Sequence, residues 1–440
     1  MATFTRQDSD RLTQVHPGSP TGALFRKHWI PVLLSEQLPE PHCDPVPVEA
    51  LGEELVAFRG ADGVVGLLDR FCPHRRASLV LARNEDCALR CVYHGWKIGS
   101  NGRVLETPPE EPNSKRAQTA KVTWYPTKEF GGLIWAYMGD GEAPNPPAWP
   151  FREVPEAHVR AYKIRQPNNW VRSLDAEMDA GHAGYLHYTE EEWQSQKNTE
   201  YDGYKYLFDP RPSTWVRELP WGLENVFRYR LEDPSQSAFW VRSFVAPCFG
   251  LSGQPQGARG RFVAYVPADD FTTDIYYVFW RNDEPLSPED MAALESSLKI
   301  SSGDPDRHYV STYFRDGIGY VQDRESMRSG KSYSGFQGVV VQDLAVQYSM
   351  APRIDMENEQ LGSEDEVVIK VRRNILQHTE AVERGETLPD IDFSRVQYRW
   401  VVAPTETPLR DVAEHPEWST VPEEGDPSWV PAETAWRSIM

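Results

Sequence analysis

No run of about 18 apolar residues occurs in the 440-residue chain, so no stretch reads as a membrane-crossing helix. Basic residues are in deficit: 46 Lys and Arg stand against 66 Asp and Glu, a formal charge of −20. Nucleic-acid binding wants a basic face, so that class is set aside. Cysteine is sparse and odd in number, five in all, which gives no disulfide framework and fits a reducing cytosol. The opening MATFTRQDSDRL lacks a basic start followed by an apolar run, so no secretory signal is expected and a cytoplasmic location is. Internal repeats and low-complexity tracts are missing too. What remains is a globular composition, 40% hydrophobic and 12% aromatic, long enough for two or three domains.

Against that background one stretch stands out, FCPHRRASLVLARNEDCALRCVYHGW from Phe71 to Trp96. Cys72 and His74 form a Cys-x-His pair, and Cys91 and His94 a Cys-x-x-His pair. Two thiolates and two imidazoles suit a structural zinc. They equally suit a Rieske [2Fe–2S] cluster, whose two Cys bind one iron and two His the other. Each pair mixes its residue types, as a cluster needs if each loop is to reach both irons. Cys87 lies close by but reads as a packed thiol, because both pairs are already complete.

The segment and its flanks, LFRKHWIPVLLSEQLPE, LGEELVAFRGADGVVGLLDRFCPHRRASL and CALRCVYHGWKIGSNGRVLETP, resemble the Rieske non-haem iron ring-hydroxylating oxygenases. The likeness is to the alpha-only branch typified by phthalate 4,5-dioxygenase. It implies an α+β chain: an all-β Rieske domain over 23–145, then a catalytic domain over 146–440 with an antiparallel sheet flanked by helices, of helix-grip, START-like type. Residues 1–22 are expected as an arm packed on the catalytic domain. GEAPNPPAWP, at 141–150, reads as the linker between them. Short strands with hairpin dipeptides at Asp62-Gly63 and Asn101-Gly102 fill the first domain. In the second, TWVREL, ENVFRYRLE, AFWVRSFVAP, RFVAYVPA and DIYYVFWRND read as a meandering sheet. SPEDMAALESSL reads as a helix start, and 339–350 and 364–384 as helices. The tail after 403 reads as an irregular strap.

An oxygenase of this kind needs a mononuclear iron downstream. A helical stretch over 171–190 carries Asp179, His182 and His187. Histidines five apart sit about 140° apart on an ideal helix, since each residue turns about 100°. They can share a metal only if the helix is distorted, which Gly181 and Gly184 make cheap. Asn169, Trp170, Asp179, His182 and His187 also match the family's catalytic helix. The third ligand is expected from Asp343, in VVVQDLAVQYSMAPRIDM, which resembles the branch's Gln-Asp-x-Ala segment. Asp343 sits among Val339, Val340, Val341, Leu344 and Val346, and a buried carboxylate needs a partner. Asp355, Glu359 and Asp365 are its rivals in a more polar stretch. MAPRIDM departs from the family pattern, which bears on the shape of the pocket. The resemblance gives Asp179 the role of bridge. It would accept one hydrogen bond from an iron-ligand His and another from a cluster His of a neighbouring subunit. Asp175 falls where relatives carry a polar residue near the iron.

Trp240, Arg242 and Phe244 share one strand face, an arrangement suited to gripping an aromatic acid bidentately. Arg228 and Arg230 are further candidates for substrate contact. The stretch 196–212 reads as a lid. The expected activity is hydroxylation of an aromatic substrate, an aromatic carboxylate by dihydroxylation, with O- or N-demethylation by monooxygenation as the alternative. Cofactors would be the [2Fe–2S] cluster, mononuclear Fe(II) and O2 as co-substrate. The chain carries no flavin or NAD fingerprint, so NAD(P)H would act only through a separate reductase, with or without a ferredoxin. The family assembles as homotrimers or stacked trimers. A reading of another class, an electron carrier or a zinc-stabilised binding module, predicts no second, labile iron.

Overall fold

The computed structural model describes residues 4–189, 209, 211–231, 233–253, 259–298, 314–315, 319–350 and 354–415. The expected lid falls almost wholly on 190–208 and 210, outside the described residues, as does the tail beyond 415.

From Trp29 to Tyr137 the chain is mainly β, with one short α-helix, Arg116–Thr119. One four-stranded sheet runs Val46–Ala50, Glu53–Arg59, Val65–Asp69 and Trp124–Tyr125, and a second runs Arg83–Glu85, Ala88–Arg90, Lys97–Gly99 and Val104–Glu106. Both expected hairpin glycines adopt positive φ, Gly63 at 78° and Gly102 at 72°, which their turns require. A small separate core of Val56, Phe58, Leu68, Leu79, Leu89 and Ile98 lies under the loops that carry Cys72 and Cys91.

The second half is built on one antiparallel sheet of eight strands. Its spatial order is Val159–Gln166, Thr273–Arg281, Arg259–Pro267, Phe249–Gly253, Gln236–Val245, Gly222–Arg230 and Ser213–Leu219, with Arg399–Pro404 paired beside Gln236–Val245. All five sequence-expected strands are present within a few residues of their expected ends. Three others, Val159–Gln166, Phe249–Gly253 and Arg399–Pro404, were not anticipated. The helix Pro288–Leu298 starts as expected: Ser287 Oγ accepts from Asp290 N, and Asp290 Oδ2 accepts from Ser287 N. Helices Val339–Ser349 and Glu366–Glu383 also fall where expected. The strap after 403 instead includes a helix, Leu409–Glu414.

The two halves share one core. Trp149 and Phe151 are buried and pack on Phe249, Phe262 and Trp280 of the large sheet. The proline-rich stretch therefore has no helix or strand yet is stapled down by its aromatics. The N-terminal helices Arg6–Thr13 and Pro20–Phe25 lie against Glu366–Glu383, with Thr21 and Thr379 hydroxyls 3.1 Å apart. Among the described residues no helix is long and apolar enough to cross a membrane.

Candidate active site

Cys72 and Cys91 sit on two loops with one hydrogen-bond pattern. Cys72 N donates to Ala77 O and Arg76 N to Cys72 O; Cys91 N donates to Trp96 O and Gly95 N to Cys91 O. The fifth residue of each loop is left-handed, Arg76 at φ 57° and Gly95 at φ 73°. Both thiols are buried while His74 is exposed and His94 half-buried. The imidazoles converge, with ring centroids 4.5 Å apart, and His74 stacks on Trp96 at 4.9 Å. Burial, with the neighbouring Cys91, pushes the Cys72 thiol up to about 11. Two adjacent buried thiols beside two more exposed imidazoles fit a Rieske cluster, which would take sulfur on one iron and nitrogen on the other.

The second centre forms where the helix Trp170–Met178 ends. Asn169 caps its start, accepting from Val171 N, and its amide also donates to Thr13 O and Asp270 O. The helix stops at Asp179, which is extended at φ −82°, ψ 137°. A new short turn, Ala183–Leu186, then runs between His182 and His187. The expected distortion between the histidines is thus a break just ahead of them. Asp179 organises that break, since its carboxylate accepts from Gly181 N at 2.7 Å and His182 N at 3.3 Å.

Both imidazoles point at Asp343 on the helix Val339–Ser349. His182 Nε2 and His187 Nε2 each lie 3.5 Å from Asp343 Oδ1, and one donor atom from each residue falls within 4.8 Å of the others. The Nδ1 atoms are held elsewhere. His182 Nδ1 donates to Asp179 Oδ2 at 2.9 Å, and His187 Nδ1 to Gln342 Oε1 at 2.9 Å. Gln342 Nε2 donates to Phe336 O, which fixes the amide orientation. Both Nε2 atoms therefore face the carboxylate. Asp343 Oδ1 is buried with no hydrogen-bond partner. Burial opposes charge on His182, but Asp179 and Asp343 outweigh it and push its pKa up to about 10, whereas burial holds His187 down. Two imidazoles and an orphaned carboxylate fit a two-His-one-carboxylate metal site.

The rivals for the third ligand lie elsewhere. Glu359 pairs with Arg172 and Arg372, Asp355 accepts from Asn358, and Asp365 accepts from Gly362 N. Asp175 is paired bidentately with Arg372 at 2.6 and 3.1 Å. Asp179, His182 and Asp343 border two cavities. The first, about 240 Å3, is lined by Tyr229, Trp240, Arg242, Arg261, Tyr277 and Trp400 among others. The second, about 260 Å3, opens past Leu186, Val346 and Met350.

Of the three arginines, only Arg242 lines the first cavity. Arg228 donates to Thr405 O and Ser213 Oγ, and the exposed Arg230 pairs with the buried Asp209. Their expected substrate contact is corrected by strand phase: on Gly222–Arg230 it is Tyr229 that faces the cavity, so its even-numbered neighbours face away. Gln342 and Glu177 were missed. Gln342 adjoins Asp343 in sequence, which was the available signal, while Glu177 had none beyond its place on the catalytic helix.

Residues 28–126 match the family described as Rieske [2Fe-2S] domain, and residues 136–428 that described as LigXa C-terminal domain like. The chain is 36% identical over 400 residues to the phthalate 4,5-dioxygenase oxygenase subunit of Pseudomonas putida, spanning 87% of this chain and 88% of that one. It is 32% identical over 395 residues to the 3-chlorobenzoate-3,4-dioxygenase oxygenase subunit of Comamonas testosteroni, spanning 87% and 90%. A solved structure of dicamba monooxygenase bound to dicamba has the same fold, with a TM-score of 0.58 at 19% identity, covering 82% of this chain and 99% of that one.

Proposed function

Since the chain belongs to the Rieske non-haem iron ring-hydroxylating oxygenases, we propose that it is the oxygenase component of a system that hydroxylates an aromatic carboxylate. The convergence of His182, His187 and Asp343 on one point at the rim of a buried cavity carries this reading. Cys72, His74, Cys91 and His94 would hold the [2Fe–2S] cluster, and His182, His187 and Asp343 the ferrous ion. When bound, these groups supply electrons one at a time and a metal at which O2 is activated.

The chain's own residues do the rest. His182, His187 and Asp343 would hold a metal at the edge of the cavity, with positions left for O2 and substrate. Asp179 and Gln342 hold each imidazole in the tautomer that presents Nε2. The aromatic walls exclude water, and Arg242 offers a guanidinium to a carboxylate. Two relatives act, by name, on phthalate and on 3-chlorobenzoate, both aromatic carboxylates. Dihydroxylation is the proposed outcome. Asp179 lines the second cavity as well and keeps about a quarter of its side chain exposed (24%). That supports a second contact from a cluster imidazole of another copy of this chain, in a homotrimer. Electrons would come from NAD(P)H through a separate reductase.

The test is turnover with a surrogate reductase and a panel of benzoates, phthalates and methoxybenzoates under 18O2. The reading expects substrate-dependent O2 uptake and two labelled oxygens in a ring diol. A single labelled oxygen with loss of a methyl group would replace dihydroxylation by demethylation. No uptake with any acid would overturn the reading.

A further inference from the structure

The cavity that holds Arg242 holds a second guanidinium, and one glutamate decides how many of them a ligand meets. Glu177 lies on the catalytic helix Trp170–Met178 with 7% of its side chain exposed. Arg261 occupies both its oxygens, Nη1 donating to Oε1 at 2.9 Å and Nη2 to Oε2 at 2.7 Å. Tyr265 Oη donates to Oε2 at 3.0 Å, and Arg261 Nη1 also reaches Ser252 Oγ at 3.1 Å. Arg261 is therefore fully engaged. Arg242 is not. It is 3% exposed, with its guanidinium 4.4 Å from the Trp240 ring centroid and 5.2 Å from that of Phe227. Its Nη2 stands 3.7 Å from Glu177 Oε1, beyond hydrogen-bond range, and its Nε and Nη2 make no hydrogen bond. A buried guanidinium with idle donors is costly unless a ligand supplies the oxygens. Two arginines and one glutamate leave this wall with one surplus positive charge and, on Arg242, buried donors that form no hydrogen bond.

We propose that Glu177 is a specificity-determining residue: by occupying Arg261 it leaves Arg242 as the sole anion anchor and restricts the cavity to aromatic acids with a single carboxylate. The inference rests on the aromatic-acid reading and deepens it. A second carboxylate would meet no open guanidinium among the described lining residues and would be desolvated near Glu177, which repels it. A neutral ligand would leave Arg242 uncompensated.

The test is isothermal titration of the intact protein with benzoate and with phthalate, without reductase or turnover. The wild type is expected to bind benzoate at least tenfold more tightly than phthalate. Glu177→Gln frees Arg261 and is expected to shrink or invert that ratio by tenfold or more. Should that variant not fold, Glu177→Gln/Arg261→Met removes the pair as a unit and is expected to keep the wild-type preference. Equal wild-type affinities, an unchanged ratio in Glu177→Gln, or a lost preference in the double variant each overturn the inference. Arg242→Ala separates it from its parent: unchanged benzoate affinity there, or a wild type that binds neither acid, overturns the aromatic-acid reading itself. Loss of benzoate binding in Arg242→Ala with an unchanged ratio in Glu177→Gln overturns only the role of Glu177.

Discussion

The two imidazoles that face Asp343 are backed by different acceptors, a carboxylate behind His182 and a neutral amide behind His187. Such partners fix ring orientation and commonly matter to metal affinity by about 10- to 100-fold. Gln342→Leu should therefore weaken Fe(II) binding by about that factor while the cluster absorbance stays intact; chelator competition measures it, and unchanged affinity would remove Gln342 from the site. Arg228→Ala should leave the KM for an aromatic acid unchanged and Arg242→Ala should raise it about tenfold or more, the worth of a charge-assisted pair; equal effects would contradict the assignment of one arginine to the cavity. The metal-binding residues were legible because their chemistry is unusual at those spacings, and Asp343 because a carboxylate among valines demands a partner. Arg228 and Arg230 were not, because alternation tells which residues share a face but not which face looks inward.

At the level of elements, the break at Asp179 does what a continuous helix could not. It frees His182 and His187 from the 140° offset, and Asp179 holds the break by accepting from Gly181 N and His182 N. Asp179→Asn keeps a side-chain acceptor and should retain both metals while turnover falls steeply. Asp179→Ala removes the acceptor that holds Gly181 N, His182 N and His182 Nδ1 and should lower the iron content as well. Metal analysis beside turnover checks both: full iron in the Ala variant contradicts the role of Asp179 in holding the break, and normal coupled turnover in the Asn variant contradicts the bridge. Glycines signalled that the helix must distort, but not that the distortion precedes the first histidine. Strands with long apolar alternation were legible. Val159–Gln166 was hidden because Arg160, Lys163 and Arg165 break the alternation, and Arg399–Pro404 by pairing with a strand far upstream.

The largest core is shared between the cluster-bearing and iron-bearing halves, which no local pattern could reveal. Buried acids add to it. The Glu177 and Asp274 side chains are largely buried; burial raises their pKa, but Arg261 for the first and Lys163 with Arg165 for the second outweigh it, so both end below their ordinary values of 4.5 and 3.8. A depressed folded-state value means the stability is present above the unfolded value and is lost as pH falls through the folded one. The urea midpoint should therefore be flat above about pH 5.5 and fall below about pH 4; a midpoint still level at pH 3 would contradict the contribution of these pairs. The central claim is that one chain carries both a Rieske cluster and a separate ferrous ion. Iron and acid-labile sulfide analysis of anaerobically reconstituted protein tests it most directly. With two irons in the cluster and one at the second centre, about three irons and two sulfides per chain are expected, with Asp343→Ala losing one iron and no sulfide. A chain that binds zinc and no sulfide, or one whose iron content is indifferent to Asp343, would contradict the account.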